Sequence, residues 1–157
     1  MRPFSVKQYS VIPVKDSKEL TEALQKTPVD NLPDFVSADV AACEEKACFF
    51  IVTEKANGAY SAFASFVFDK NEKKVVHVKI TASISDQKEL EKVISKITDW
   101  MYNKIGGIYF RIDATNAEAN VAAAAQKAGY KKKKNSENVL ELDKNVEIGI
   151  ISLISGL

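Results

Sequence analysis

Val76, Val78 and Ile80 are apolar and alternate with His77, Lys79 and Thr81, a period of two that sets one strand face in a core and the other in water. Upstream, Phe49 to Thr53 and Tyr60 to Phe68 are β-rich runs joined by the turn sequence Ala56-Asn-Gly-Ala59, and Asp69 to Lys74 is a polar turn. These three runs predict an antiparallel meander. The period then changes. Leu90, Val93, Ile94, Ile97, Trp100, Met101 and Ile105 fall on one helical stripe, opened by the capping-box pattern Asp86-Gln-Lys-Glu89 and closed by Gly106 and Gly107.

Before the meander, Tyr9 to Val14 reads as a strand, and Asp16-Ser-Lys-Glu19 opens a helix carrying Leu20, Ala23 and Leu24. Pro28 and Pro33 break that pattern, and a short second helix is expected over about Ser37 to Glu45. After the long helix, Ile108 to Ile112 reads as a strand that the helical crossover makes parallel to its neighbour. Thr115-Asn-Ala-Glu118 is a third capping-box pattern, opening an alanine-rich helix that ends at Gly129. Tyr130 to Lys134 and Val139 to Leu142 form a final hairpin. The expected organisation is one domain over residues 1–145, followed by an apolar tail from Val146 to Leu157. Its class is α/β (α+β), a mixed sheet with an antiparallel meander followed by strand-helix-strand, and helices on both faces.

The bulk composition narrows the function classes. The chain has 157 residues, 46% hydrophobic and 27% charged, enough for one core that buries roughly two-thirds of the unfolded surface. A net charge of +1 argues against a surface built for polyanions. Lys131, Lys132, Lys133 and Lys134 are the one basic run; on a strand they point to alternate faces, which fits a lysine-protected edge better than a row of nucleic-acid contacts, so only a weak contact of that kind is expected. Cys43 and Cys48 are the only cysteines and His77 the only histidine, so no metal site is expected and both thiols read as reduced. No run approaches the roughly 20 apolar residues of a membrane span. An intracellular protein without a cleaved signal is expected, with cytoplasm or nucleus favoured and an organelle left as an alternative.

Two stretches carry a family resemblance. VIPVKDSKELTEAL (Val11 to Leu24) looks like the opening strand and helix of the GNAT N-acetyltransferases. YFRIDATNAEANVAAAAQKAGYKK (Tyr109 to Lys132) is similar to that family's strand followed by an "N…A…LYEKxGF" helix, with Gly129 and Tyr130 at matching points. The order of elements resembles the GNAT fold up to about Leu142. The resemblance implies acetyl-CoA as ligand, with Ser85, Gln87, Lys88 and Asn116 as the residues that would meet it.

Two departures weigh against activity. Members of the family grip the pyrophosphate with the backbone amides of a Q/R-x-x-G-x-G/A loop at the start of the long helix, a chemistry that needs close approach and the positive end of a helix dipole. Here Thr81 to Leu90 contains no glycine, and Asp86 and Glu89 stand where they would claim those amides and repel phosphate, offset in part by Lys88 and Lys92. The family's general-acid tyrosine, four residues before the helix-ending glycine, corresponds to Ala125, which has no proton to give.

No catalytic residue is therefore assigned. His77 reads as a solvated strand residue, Glu118 as the third capping-box acid and Asp113 as a strand-end residue. If the chain is active, Tyr109, Tyr130 and His77 are the proton donors available by type. The leading expectation is a GNAT-fold module without catalysis or cofactor, acting in a larger assembly through a protein partner, or a second copy, on Val146 to Leu157. The alternative is an acetyl-CoA-dependent N-acetyltransferase with a divergent pyrophosphate loop.

Overall fold

The computed structural model describes residues 1–146. Phe4–Val6 (β1) and Tyr9–Val14 (β2) form a hairpin through Lys7, which takes a left-handed φ of 52°. Two helices follow, Ser17–Lys26 (α1) and Asp34–Ala42 (α2). The meander is Ala47–Glu54 (β3), Tyr60–Phe68 (β4) and Val75–Ala82 (β5). Then come Gln87–Lys104 (α3), Tyr109–Asp113 (β6), Ala119–Lys127 (α4), Lys131–Lys133 (β7) and Ser136–Asp143 (β8). The eight strands make one sheet in the order β1-β2-β3-β4-β5-β6-β8-β7. Only β5 and β6 pair in parallel among these neighbours, as the helical crossover between them requires.

The strand alternation divides the core into two layers. Val76, Val78 and Ile80 join Phe50, Phe66 and Phe110 under α3 and α4, into which the stripe Leu90, Val93, Ile94, Ile97 and Met101 is buried. On the other face α1 and α2 cover Ile12, Val14, Phe49, Ile51 and Phe63. Helices thus lie on both faces, but the α1/α2 side shields only the β2–β4 half. Among the described residues, the same face of β5 and β6, bearing His77, Lys79 and Arg111, has no helix over it.

Several boundaries differ from the sequence expectations. The strand β1 has no sequence counterpart among the predicted elements; it is an edge strand of three residues, too short to show a period. Helix α2 starts at Asp34 rather than Ser37 because Pro33, extended at ψ 145°, stands at its N-cap, where the missing N–H costs nothing. Helix α4 starts at Ala119, so Thr115 lies in a turn outside the helix. No helix among the described residues is long and apolar enough to cross a membrane. The apolar tail, apart from Val146, lies outside the described residues.

The turn between α3 and β6 rests on Gly107, whose φ of +98° is left-handed and whose added Cβ would stand 2.5 Å from Val76 Cγ2 and 3.2 Å from Phe110 Cζ. Gly107→Ala meets both backbone strain and overpacking against two buried side chains. It is expected to cost about 2–4 kcal/mol in urea denaturation, whereas Gly58→Ala, with its nearest contact at 3.5 Å, carries the backbone strain alone.

Candidate functional site

Strand β5 stays on β4 to its end, with Ala62 opposite Ala82 and the Ser83 N–H then donating to Ser61 O at 2.9 Å. Its pairing with β6 stops at Val78 opposite Ile112. Lys79 to Ala82 therefore lose their β6 neighbour, and the two parallel strands part. A cavity of about 630 Å³ opens in the gap, lined by His77, Lys79, Thr81, Arg111, Asp113 and Glu118 among others. The Ala82 N–H points into the gap, since it donates to Glu118 Oε1 at 2.9 Å, and by the two-residue alternation of a strand the Ile80 N–H points the same way.

The charges on this wall are largely matched in pairs. His77 Nε2 meets Asp69 Oδ1 at 2.8 Å, and Arg111 Nε donates to Glu141 Oε2 at 2.6 Å, with Glu72 at 3.7 Å from its Nη1. The His77 hydrogen bond, with the Asn71 and Glu72 amides, brings the Asp69 carboxyl from its ordinary 3.8 to about 2. Asp113 is also held below the usual carboxylate range, chiefly by the Asn116 side-chain amide at 2.7 Å and the Thr115 N–H. Lys79 stands exposed between these groups.

At the head of the gap, Asp86 caps α3: its Oδ1 accepts from the Lys88 N–H at 2.9 Å and the Glu89 N–H at 3.1 Å. The capping carboxylate is where the sequence puts it, but the reciprocal half of the box is not formed by Glu89, whose Oε2 instead accepts from the Tyr9 hydroxyl at 2.6 Å. Ser85 is exposed in the loop before the helix, Gln87 Nε2 donates to Asn120 O at 3.2 Å, and Asn116 lies in the cavity wall. Of the four residues picked for acetyl-CoA, Asn116 alone lines the cavity, and two of the amides that phosphate would need are already bonded.

No protein-family model matches the chain, and no curated protein matches it. Solved structures do. The chain is similar to a ribosomal-protein-S5-alanine acetyltransferase from Vibrio fischeri, with 12% identity over 92% of this chain and 97% of that one and a TM-score of 0.58. It is similar to the aminoglycoside acetyltransferase AAC(6')-Ib in complex with coenzyme A, with 12% identity over 87% and 96% and a TM-score of 0.57. A chimera of the spermidine N-acetyltransferase SpeG from Vibrio cholerae and hSSAT gives a TM-score of 0.59 at 6% identity over 90% and 98%. The chain has the GNAT fold.

Ala125, which the family resemblance sets at the general-acid position, is fully buried, and its carbonyl accepts from the Tyr130 N–H at 2.9 Å. Tyr130 is no substitute: it is buried, its hydroxyl is 2.8 Å from that of Thr98, and burial pushes its pKa well up. Tyr109 pairs with Val75 at the far end of β6, four residues and roughly 13 Å from Asp113 at the gap. His77 alone of the three reaches the cavity.

One group has a different role from the one the sequence suggests, and another has no sequence counterpart. Glu118 does not close a capping box with Thr115; it holds the N-cap position of α4 without capping the helix, and its carboxylate crosses the gap to Ala82. Tyr60, at the start of β4, has a buried hydroxyl with no hydrogen-bond partner among the described residues. Its pKa is pushed up to about 12, first by burial and then by the charge of Glu118. Neither feature leaves a local pattern. Cys48 is buried, which pushes its thiol up to about 12, and Cys43 Sγ lies 3.6 Å from Glu45 O; neither lines the cavity.

Because the folded Asp69 carboxyl lies below its ordinary value, its pair with His77 supports the fold fully above about pH 4 and loses that support as pH falls toward about 2. Asp69→Asn should melt below the parent at pH 5. The gap between the two melting curves should close between about pH 4 and pH 2 if the assignment is right.

Proposed function

We propose that this chain binds an acyl-CoA in the gap between β5 and β6 and transfers the acyl group to an amine. The observation that carries this reading is the parting of β5 from β6 after Val78 and Ile112, which leaves a strand edge facing a cavity of about 630 Å³. The pantetheine arm of coenzyme A has two amides, and the Ile80 and Ala82 N–H groups are donors of the strand-pairing kind for such a ligand. Gln87, Ser85, Lys88 and Asn116 are the residues this reading assigns to its phosphate end, Asn116 among them lining the cavity. Solved structures of the same shape are acetyltransferases, one of them in complex with coenzyme A, which supports this reading over the non-catalytic one.

In this reading His77 takes the proton of the attacking amine. Asp69 engages its Nε2 and fixes the ring, leaving Nδ1 for proton exchange. The leaving thiolate has no tyrosine at the Ala125 position and departs without that donor.

The non-catalytic reading retains two specific supports: Asp86 bonds the Lys88 and Glu89 amides, and Ala125 offers no hydroxyl. Under it, a partner chain covers Val146 to Leu157. Truncation after Asn145 would then leave a folded monomer that no longer assembles, as sedimentation would read.

Acetyl-CoA separates the two readings. With a dissociation constant of about 10 μM, 1 mM ligand stabilises the native state by about 2.7 kcal/mol and raises the melting temperature by about 5–10 °C; no shift at that concentration would defeat the acyltransferase reading. Asp86→Ala should cost about 1 kcal/mol of stability through the lost cap yet bind acetyl-CoA more tightly by calorimetry, because two amides are released.

A further inference from the structure

The bond from the Ala82 N–H to Glu118 Oε1 joins residues 36 apart in sequence and lies across the mouth of the gap. The Gln87 Nε2 bond to Asn120 O at 3.2 Å joins the start of α3 to α4, and both bonds are exposed to solvent. Glu118 is bound to one of the two amides that a ligand pairing with the end of β5 would use. It does this while standing at the N-cap of α4, at φ −60° and ψ 142°, where a side chain ordinarily bonds the first turn of its own helix. A carboxylate drawn from its helix to a strand edge is held by that edge, and an exposed bond of this kind exchanges readily.

The second observation is the orphan hydroxyl of Tyr60. Buried hydroxyls are almost always hydrogen-bonded, and this one has no partner among the described residues, so it would gain from any acceptor brought to it. Tyr60 begins the strand on which Ala62 stands opposite Ala82, two residues from the amide that Glu118 holds. Glu118 is also the charged group whose field acts on that phenol.

We propose that Glu118 is a gate: it closes the gap by accepting from the Ala82 N–H, and when a ligand enters it turns to accept from the Tyr60 hydroxyl. The Ala82 amide is then released to a ligand carbonyl, and the buried phenol gains an acceptor. Entry therefore exchanges one hydrogen bond for two, and the open state is reached without leaving the carboxylate unpaired. The gate rests on the acyl-CoA reading of the cleft and deepens it.

The test is a stopped-flow and calorimetric titration with coenzyme A of the full chain, Glu118→Ala, Tyr60→Phe and the double variant, each checked for folding by thermal melt. Tyr60→Phe keeps the ring and should weaken binding by about five- to tenfold, although Tyr60 does not line the cavity. In the Glu118→Ala background the same change should have no effect, and Glu118→Ala alone should speed association by about tenfold. An equal Tyr60→Phe effect in both backgrounds, or an unchanged association rate for Glu118→Ala, overturns the gate and leaves the acyl-CoA reading standing. Absence of binding in all four proteins removes that reading and the gate with it.

Discussion

Strand β5 is pulled two ways, and the candidate site is the result. On one side it is paired with β4 through Ala82, and the Ser83 N–H and hydroxyl both reach Ser61 O beyond it. On the other, β6 must leave the sheet after Asp113 to enter α4, a departure fixed by the Asp113 carboxylate, which accepts from the Thr115 N–H and the Asn116 side chain, and by the Ala114 N–H on Asn138 O. A parallel pair held over only Val75–Val78 cannot follow both neighbours. The strands part, and the backbone groups of β5 that a continuing β6 would have paired face the gap instead.

The three S/T/D-x-x-E patterns in the sequence show how far a local motif reaches. At α1 the reading is nearly complete: Asp16 Oδ1 accepts from the Glu19 N–H, and Glu19 returns a bond to the Lys15 N–H, one residue from the box position. At α3 only the cap forms, because the Tyr9 hydroxyl claims Glu89. At Thr115 no box forms, because the helix begins four residues later and Glu118 is drawn to Ala82. Each failure has a partner from a distant segment, and the failures increase toward the gap.

The same division explains what was legible. Periods of two and 3.6, with glycines such as Gly106, Gly107 and Gly129 at the breaks, located the meander, the long helix and the crossover, and the parallel pairing followed from the helix between its strands. The opening strand was invisible because Phe4–Val6 is too short for a period and is defined by its hydrogen bonds to β2. The cavity acids were visible as residues but not as neighbours. The Tyr60 hydroxyl had no signature at all, since being unpartnered is a property of surroundings assembled from residues far apart in the chain.

The absence of glycine before α3 weighed heavily toward an inactive chain, and magnitudes reduce that weight. An N-cap is worth about 0.5–2 kcal/mol, a factor of roughly 2–30 in a competing equilibrium. Two exposed charges about 5 Å apart interact by only about 1 kcal/mol in water, and Lys88 stands between the two acids in sequence. A coenzyme with an adenosine, a pyrophosphate and a long amide-bearing arm has many other contacts to draw on, so a self-capped helix lowers its affinity without excluding it. The Ala125 position acts on a different quantity: a missing general acid reduces the rate of acyl transfer by typically 10²–10⁴ and leaves binding alone. The two departures therefore belong to separate measurements, affinity for the first and turnover for the second, and under the proposed acyltransferase reading they would weaken binding and slow transfer without removing either.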